Sequence, residues 1–294
     1  MKLPPFAMHR PSSVGEATKY LREFGDGGVV YCGGTELLLV MKLGLSDFDH
    51  LVDIKRIPGL GTISVTGETL RIGATATHRE IETNREIAQR WPGLVAMTRQ
   101  VANVRVRNVG TLGGNLAFAD PASDPATFLL ASDALIEIRN ADGELRQVPV
   151  GEFHVGAYQT VLGESELIEA ILVPQPAAGT TVVHERIRFH ERPAVTVTVA
   201  GTVRAGTIID VRIAVGSVGS VPIRIAEAEA RLRGIEQDSL ESAIRDTTEA
   251  VEATVDPVED LNGSVEYKRH LAGVLAGRAA GQCLRQAFDG GAGL

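Results

Sequence analysis

Two glycine-rich clusters are the segments of this sequence whose residue types suit cofactor binding. The first reads Tyr31-Cys32-Gly33-Gly34-Thr35-Glu36 and the second Thr111-Leu112-Gly113-Gly114-Asn115. Because glycine has no Cβ atom, an anion can come within hydrogen-bonding distance of the backbone N–H groups of such a segment. A helix that begins after the glycines adds a field that favours phosphate. Two such loops that converge would hold a pyrophosphate from both sides.

Neither cluster matches an established nucleotide fingerprint. The sequence has no G-x-G-x-x-G pattern here, and no Lys-Ser or Lys-Thr pair follows the glycines as in a P-loop. A single Gly-Gly pair before a helix is usually only a turn, so spacing by itself indicates no more than a possible nucleotide cofactor site. The sequence also lacks a nucleophile–His–acid arrangement, and we predict no catalytic residue and no metal ligand on this chain.

The composition argues against several other classes of function. Asp and Glu outnumber Lys and Arg by 37 to 29 among 294 residues, and no stretch is strongly basic, which disfavours a nucleic-acid partner. The two cysteines, Cys32 and Cys283, are too few for an iron–sulfur cluster or a four-thiolate zinc site. Any iron–sulfur chemistry linked to this protein is therefore expected on another chain.

The sequence also bears on where the protein works. It has no apolar run of the roughly 18 residues that a membrane-spanning helix requires. The N-terminal residues Met1-Lys2-Leu3-Pro4-Pro5 carry one cation followed by prolines, without the apolar segment of a secretory signal. We therefore expect a cytoplasmic protein with no membrane span.

The elements that must position the two clusters follow from periodicity and turn residues. In the N-terminal part we predict a strand at 29–32 that leads into the first cluster and a helix at 35–42 after it. Residues 107–115, which include the second cluster, are too glycine-rich for a regular element. Further strands are predicted at 51–54, 63–65, 70–72, 134–139, 146–150 and 167–173, and further helices from the capping box at Ser13 to about 24 and at 78–83, 92–101 and 125–131.

The residue pattern changes after a Pro/Gly-rich linker at 174–179, which is the best candidate for a domain boundary. Beyond it, alternating residues predict three antiparallel strands at 182–189, 195–204 and 207–215. The remaining sequence predicts helices at about 223–232, 240–253 and 265–287. The order of elements is therefore that of an α+β protein.

The two clusters and their surroundings resemble the FAD-binding medium subunits of molybdenum hydroxylases, the family of carbon monoxide dehydrogenase and xanthine dehydrogenase. The resemblance runs in order over nearly the whole chain, with its main matches at residues 33–38, 107–116, 119–124 and 267–271. It implies a two-part FAD-binding domain of the PCMH type followed by a smaller domain with a three-stranded sheet and helices. The implied boundaries are 1–176 for the first domain, with lobes of about 1–57 and 58–176, and 180–287 for the second.

The resemblance also implies roles for particular residues. Residues 30–37 and 111–115 would hold the FAD pyrophosphate and ribityl chain, and Val101 and Ala102 would lie near the adenine. Asp124 would accept a hydrogen bond from FAD, Ile168 would pack on the flavin ring, and Arg188 would be a cation near it. The full set of implied FAD contacts is Val30, Tyr31, Cys32, Gly33, Gly34, Thr35, Glu36, Leu37, Val101, Ala102, Thr111, Gly113, Gly114, Asn115, Ala117, Asp124, Ile168 and Arg188.

Several of these residues have a plainer interpretation. Asp124 can cap the helix that follows it, and Asn115 can satisfy its own loop. Ile168 can be ordinary core, and Arg188 can belong to a solvated strand face. Arg107, which is not among the implied ligands, is either a surface cation or a clasp of its loop. The stretch 267–271 is either internal packing or a subunit contact.

As a member of this family, the chain would be the flavoprotein subunit of an oxidoreductase. It would carry one non-covalent FAD and pass electrons between [2Fe–2S] clusters and an external acceptor. The clusters are expected on a small partner subunit and the molybdenum cofactor on a large one, in a dimer of heterotrimers. Two alternatives stay open: a self-contained FAD-dependent oxidase or dehydrogenase, and a non-catalytic assembly subunit.

Overall fold

The computed structural model describes residues 2–291, so Met1 of the N-terminal segment and residues 292–294 lie outside it. The strands are β1 Ala7–His9, β2 Gly28–Tyr31, β3 His50–Asp53, β4 Ile63–Thr66, β5 Thr69–Gly73, β6 Leu135–Arg139, β7 Leu145–Pro149, β8 His154–Gly156, β9 Gln159–Thr160, β10 Leu167–Pro174, β11 Thr180–Arg188, β12 Pro193–Arg204, β13 Thr207–Gly216 and β14 Ile223–Arg224. The α-helices are α1 Val14–Phe24, α2 Leu37–Leu43, α3 His78–Thr83, α4 Arg85–Arg90, α5 Pro92–Thr98, α6 Val104–Arg107, α7 Leu112–Phe118, α8 Asp124–Ala131, α9 Val150–Phe153, α10 Ala226–Leu232, α11 Leu240–Thr254 and α12 Val265–Gly291.

The described residues form two compact units that do not follow chain order. The first contains the residues up to Asn84 together with Val101–Asp120 and Ala134–Pro174. The second contains Arg85–Gln100, Pro121–Asp133 and the chain from Gln175 onward. The predicted α+β class is confirmed, because each unit combines a sheet with helices.

The first unit is built on two main sheets. A parallel sheet has the order β1-β3-β2, and an antiparallel sheet has the order β4-β5-β10-β6-β7. The predicted hairpin turn at 66–68 and the hairpin of β6 and β7 are both present. Helix α1 begins at the predicted cap, where the Glu16 N–H donates to Ser13 Oγ at 3.1 Å, and it buries Ala17 and Leu21 on one face.

The segment at 107–115 differs from the prediction of irregular structure. It contains the last residue of α6 and the start of α7, and Gly113 and Gly114 lie inside α7. Thr111 is the N-cap of α7, and its side chain accepts from the Gly114 N–H at 3.1 Å. Glycines inside a helix cost stability relative to alanine, so their presence here indicates a packing or functional requirement.

The second unit has an antiparallel sheet of order β11-β12-β13-β14. Both α8 and α12 contact β12, which explains why residues 193–203 of this strand are all buried. The three predicted strands are present. Residues 223–224, predicted as helix, form the fourth strand instead, because Val215 of β13 pairs with Ile223; α10 begins only at Ala226.

Other elements were not predicted. These are β1, α4, α6, α9 and the small β8–β9 pair, which have six residues or fewer. The helix predicted at 35–42 begins at Leu37, and the helix predicted at 92–101 ends at Thr98. Short elements carry too few residues for a periodic pattern, so pairing partners decide them. Within residues 2–291, no helix is long and apolar enough to cross a membrane.

Candidate cofactor site

The first glycine cluster forms a loop between β2 and α2 in the first unit. Gly34 has a φ of +68°, in the left-handed region that favours glycine. Within residues 2–291, the backbone N–H groups of Gly34, Thr35 and Leu37 donate to no protein acceptor. All three residues are partly exposed. The loop therefore presents unsatisfied donors to a ligand, as the sequence predicted for it.

The second cluster is different, and here the expectation of bare amides is wrong. The Leu112 N–H donates to Ala76 O at 3.2 Å, and the Gly113 N–H donates to Ala74 O at 3.2 Å. The Gly114 N–H donates to Thr111 Oγ1, and the Asn115 N–H donates to Thr111 O at 3.0 Å. The Leu112 and Gly113 donors thus hold α7 against residues 74–76, and the Gly114 and Asn115 donors are used within the helix start. The exposed residues of α7 are Gly114 and Ala117, which have no side chain or only a methyl group.

The first cluster packs against Val109 and Gly110, directly before the second cluster, and Cys32 is hydrogen-bonded to Thr111. A Cβ atom on residue 33 would be 2.3 Å from Val109 O, far closer than real Cβ atoms approach. On residue 113 it would be 2.6 Å from Ala74 O. Gly33 and Gly113 therefore allow close approach of protein backbone. At Gly114 the only near atom is Thr111 Oγ1, at 2.9 Å, so a Cβ atom would crowd the helix cap but no other part of the first unit, and Gly114 is exposed.

Cys32 and Lys55 set the electrostatics next to the first loop. Burial raises the pKa of the Cys32 thiol, and the hydrogen bond from Thr111 and the nearby Lys55 charge oppose this only in part. Lys55 Nζ lies 3.9 Å from the centre of the Tyr31 ring and 3.4 Å from Asp53 Oδ1. The sequence-based reasoning missed Lys55. Its position could have indicated a role. Lys55 follows the end of β3, and the first loop follows the end of β2. Because β2 and β3 are parallel, their carboxyl ends lie at the same edge of the sheet.

Arg107 clasps the segment that joins the predicted adenine-side residues to α7. Its Nε donates to Glu82 Oε2 at 3.0 Å and its Nη1 to Val101 O at 3.0 Å. Burial acts to raise the pKa of Glu82, but hydrogen bonds and charge from Arg107 and Arg79 outweigh it and hold that pKa below its ordinary value. Of the two interpretations of Arg107, the structure shows the clasp. Ala102 is exposed in this segment, with a φ of +43°.

The remaining predicted residues are distributed over both units. Ile168 is buried in β10 of the first unit beside a bulge, where it pairs with Ile138. Asp124 and Arg188 lie in the second unit. Asp124 is buried at the start of α8, and its carboxylate receives hydrogen bonds from His184 and Arg186. Arg188 is exposed at the end of β11. The other predicted contacts lie in the first unit, in β2, the first loop, Leu37 of α2, residues 101–102, and Thr111 with α7.

Two protein-family models cover most of the chain. Residues 4–176 match the FAD binding domain in molybdopterin dehydrogenase. The chain belongs to this family of FAD-binding subunits. Residues 187–283 match the CO dehydrogenase flavoprotein C-terminal domain. The family resemblance and the predicted FAD-binding domain are thus confirmed.

Relatives match over almost their whole length. The carbon monoxide dehydrogenase medium chain of Hydrogenophaga pseudoflava is 33% identical over 278 residues, which are 94% of this chain and 96% of that one. The 6-hydroxypseudooxynicotine dehydrogenase complex subunit alpha of Paenarthrobacter nicotinovorans is 31% identical, over 98% and 97% of the two chains. In a solved structure of the carbon monoxide dehydrogenase from Hydrogenophaga pseudoflava, one chain has a TM-score of 0.93, with coverage of 97% and 99%. The family is one of oxidoreductase subunits.

The residues of the first unit fit a phosphate-bearing cofactor. The Gly34, Thr35 and Leu37 donors suit phosphate oxygens, and Lys55 supplies positive charge close by. The small exposed residues Gly114 and Ala117 lie one turn apart on α7 and leave room for a flat or extended group. FAD, which the family binds, has both features.

Proposed function

We propose that this chain is the electron-relay subunit of a molybdenum hydroxylase complex. In this proposal its FAD exchanges electrons with [2Fe–2S] clusters on a small partner subunit and with an external acceptor, while a large partner subunit carries the molybdenum cofactor. The observation that carries the proposal is the first loop, whose open N–H groups lie inside the segment that matches an FAD-binding domain. When bound, FAD supplies a group that can take electrons singly and release them in pairs.

The chain's own residues bind and orient the cofactor. In our proposal, Gly34, Thr35 and Leu37 donate to the phosphate oxygens, and Lys55 partly neutralises their charge. Gly114 and Ala117 admit the cofactor to the surface of α7. Arg107 keeps Val101 and Ala102 in place through its bonds to Val101 O and Glu82. The roles predicted for Asp124, Ile168 and Arg188 are retained as separate proposals.

Partner identity and location belong to the same proposal. The relatives named above are a medium chain and a complex subunit, which supports an assembly with further chains, and we propose a dimer of heterotrimers. Cys32 and Cys283 are both free thiols, in agreement with a reducing compartment such as the cytoplasm. We propose 1–176 and 180–287 as the FAD-binding and C-terminal domains in sequence, although the second compact unit also contains Arg85–Gln100 and Pro121–Asp133.

The deciding experiment is purification of the tagged chain from its native host. We expect one FAD per chain, released by acid precipitation as a non-covalent cofactor should be, and two co-purifying chains that contain iron and molybdenum. The isolated chain should bind FAD but oxidise no small molecule by itself. A natively folded chain that shows no flavin absorbance after incubation with FAD contradicts the proposal. Turnover by the isolated chain would instead support the self-contained flavoenzyme.

A further inference from the structure

The loop at 258–263 of the second unit, here the Leu261 loop, carries a leucine that is almost entirely in solvent. Leu261 is 94% exposed, more than any other large hydrophobic residue among residues 2–291. Val258 in the same loop is 59% exposed, and Tyr267 in the first turn of α12 is 46% exposed. A single exposed leucine is common in folded proteins and indicates nothing by itself. What distinguishes this leucine is how firmly its loop is held.

Hydrogen bonds within the Leu261 loop fix its conformation. The Asp260 N–H donates to Gly263 O at 3.3 Å, and the Gly263 N–H donates to Asp260 O at 3.1 Å. The Asp260 carboxylate also accepts from the Asn262 N–H at 2.8 Å. The Tyr267 ring packs against the turn, since a Cβ atom on residue 263 would lie 2.6 Å from Tyr267 Cδ1. These contacts hold the backbone on both sides of Leu261.

A buried lysine anchors the Leu261 loop to the second unit. The Lys268 side chain is 2% exposed, and its Nζ donates to Val258 O at 2.9 Å and to Asp260 Oδ2 at 3.0 Å. The Val258 N–H donates in turn to Val218 O at 2.8 Å. Burying a lysine is costly unless its charge is paired and its donors are used. The loop supplies two acceptors for Lys268, and Lys268 fixes a loop whose tip stays in solvent.

Charge around the Leu261 loop is unevenly distributed. Residues 255–267 contain no lysine or arginine but four exposed acidic residues, which are Asp256, Glu259, Asp260 and Glu266. On the other side, the Tyr267 ring stacks with the exposed Phe189 ring at 6.3 Å between ring centres, and exposed Arg188 precedes Phe189. A protein surface that covers Leu261 must therefore present positive charge to the acidic side of the loop.

We propose that the Leu261 loop anchors a partner chain of the complex, and that Leu261 enters an apolar pocket of that chain with a rim of Lys and Arg side chains. The inference rests on the proposed function, which gives this chain its partner subunits. A loop that is already fixed in its bound conformation loses little entropy on binding. Val258 and Tyr267 add apolar area to the contact, and the acidic residues attract the basic rim.

The test uses the complex purified through the tagged full chain from its native host. Leu261→Ser removes the apolar tip, and Ile209→Ser is the matched control, because Ile209 is 45% exposed on β13 of the same unit. Glu259→Lys reverses one charge of the loop, and Glu249→Lys is its control at an exposed position of α11. The fraction of assembled complex during serial dilution, at low and at high salt, gives the dissociation constant of each variant.

We expect Leu261→Ser to weaken assembly about tenfold or more, because the partner pocket loses its apolar side chain. The isolated variant chain should keep the melting temperature and FAD affinity of wild type, since an exposed tip contributes to neither. Glu259→Lys should weaken assembly about threefold at low salt and less at high salt, because salt screens exposed charges. Ile209→Ser and Glu249→Lys should both assemble within about twofold of wild type.

A photo-crosslinking amino acid at position 261 identifies what covers the tip of the loop. In the assembled complex we expect one cross-linked peptide of a partner chain, with Lys or Arg next to apolar residues. The same probe at position 209 should give no cross-link to a partner chain.

Other results overturn the inference. It fails if the Leu261→Ser complex assembles as tightly as wild type, or if Ile209→Ser weakens assembly equally. It also fails if position 261 cross-links only to a second copy of this chain, or to a partner peptide without cations. If the wild-type chain co-purifies with no other chain, the proposed function itself fails, and the inference fails with it.

Discussion

The first and second glycine clusters look alike in sequence and differ in what they do. Both contain Gly-Gly followed directly by a polar residue, with a threonine within two positions of the pair. In the first, backbone donors at Gly34, Thr35 and Leu37 remain open. In the second, the donors of Leu112, Gly113, Gly114 and Asn115 are all used inside the protein. A glycine pair therefore indicates close approach, and only the surroundings decide whether a ligand or another backbone segment approaches.

The largest effect is expected from Gly33→Ala, because Gly33 of the first cluster packs against the backbone directly before the second cluster. The new Cβ would lie 2.3 Å from Val109 O, so the two segments must separate. We expect loss of most bound FAD and a decrease of about 1–3 kcal/mol in the free energy of unfolding. Flavin absorbance per chain and urea denaturation measure the two effects. The control is Gly27→Ala, whose Cβ meets only Asp49 Oδ2 at 3.7 Å; equal damage in the control would contradict the explanation.

Gly113→Ala separates the bracing role of the second cluster from ligand binding. The added Cβ would lie 2.6 Å from Ala74 O and crowd the contact that holds α7. Unfolding should become easier by roughly 1–2 kcal/mol, since better helix propensity offsets part of the overpacking. FAD affinity of the folded protein should change less than threefold by titration. A large loss of affinity at unchanged stability would show that Gly113 faces the cofactor.

Gly114→Val should show the opposite pattern. This glycine is exposed, and its Cβ would meet only Thr111 Oγ1. We expect a melting temperature within a few degrees of wild type. FAD binding should weaken about tenfold, because the branched side chain would occupy space next to α7 that the cofactor needs. Gly114→Ala should be intermediate in affinity. Full flavin occupancy in the valine variant would remove α7 from the site.

The smallest effect concerns pH and the Arg107 clasp. The pKa of Glu82 is lower in the folded chain than its ordinary value of 4.5, so ionised Glu82 stabilises the fold above that value. This contribution should disappear as pH falls through the lowered pKa. The difference in unfolding free energy between wild type and Glu82→Gln should therefore be largest near neutral pH and shrink below about pH 4.5. A difference that stays constant down to pH 3 would contradict this role of Glu82.

Much of the fold was predictable because its signals are local. The capping box at Ser13, the turn at 66–68 and the alternating strands β11 to β13 each depend on neighbouring residues. The start of α7 and strand β14 were not predictable, because distant partners decide them. Ala74 and Ala76 accept from α7, and β13 supplies the ladder for residues 223–224. The same reason hid Lys55 and Arg186, whose partners are far away in the sequence or on another element.

The sequence by itself determined which groups are available: two glycine clusters, too few cysteines for a cluster, and a family resemblance that names FAD. Only the tertiary structure decided how these groups are used. It left the amides of the first loop open, engaged those of the second with Ala74 and Ala76, and placed His184 and Arg186 on Asp124. The physical reason is that a residue type sets which hydrogen bonds can form, whereas the packing of distant segments sets which of them remain for a ligand.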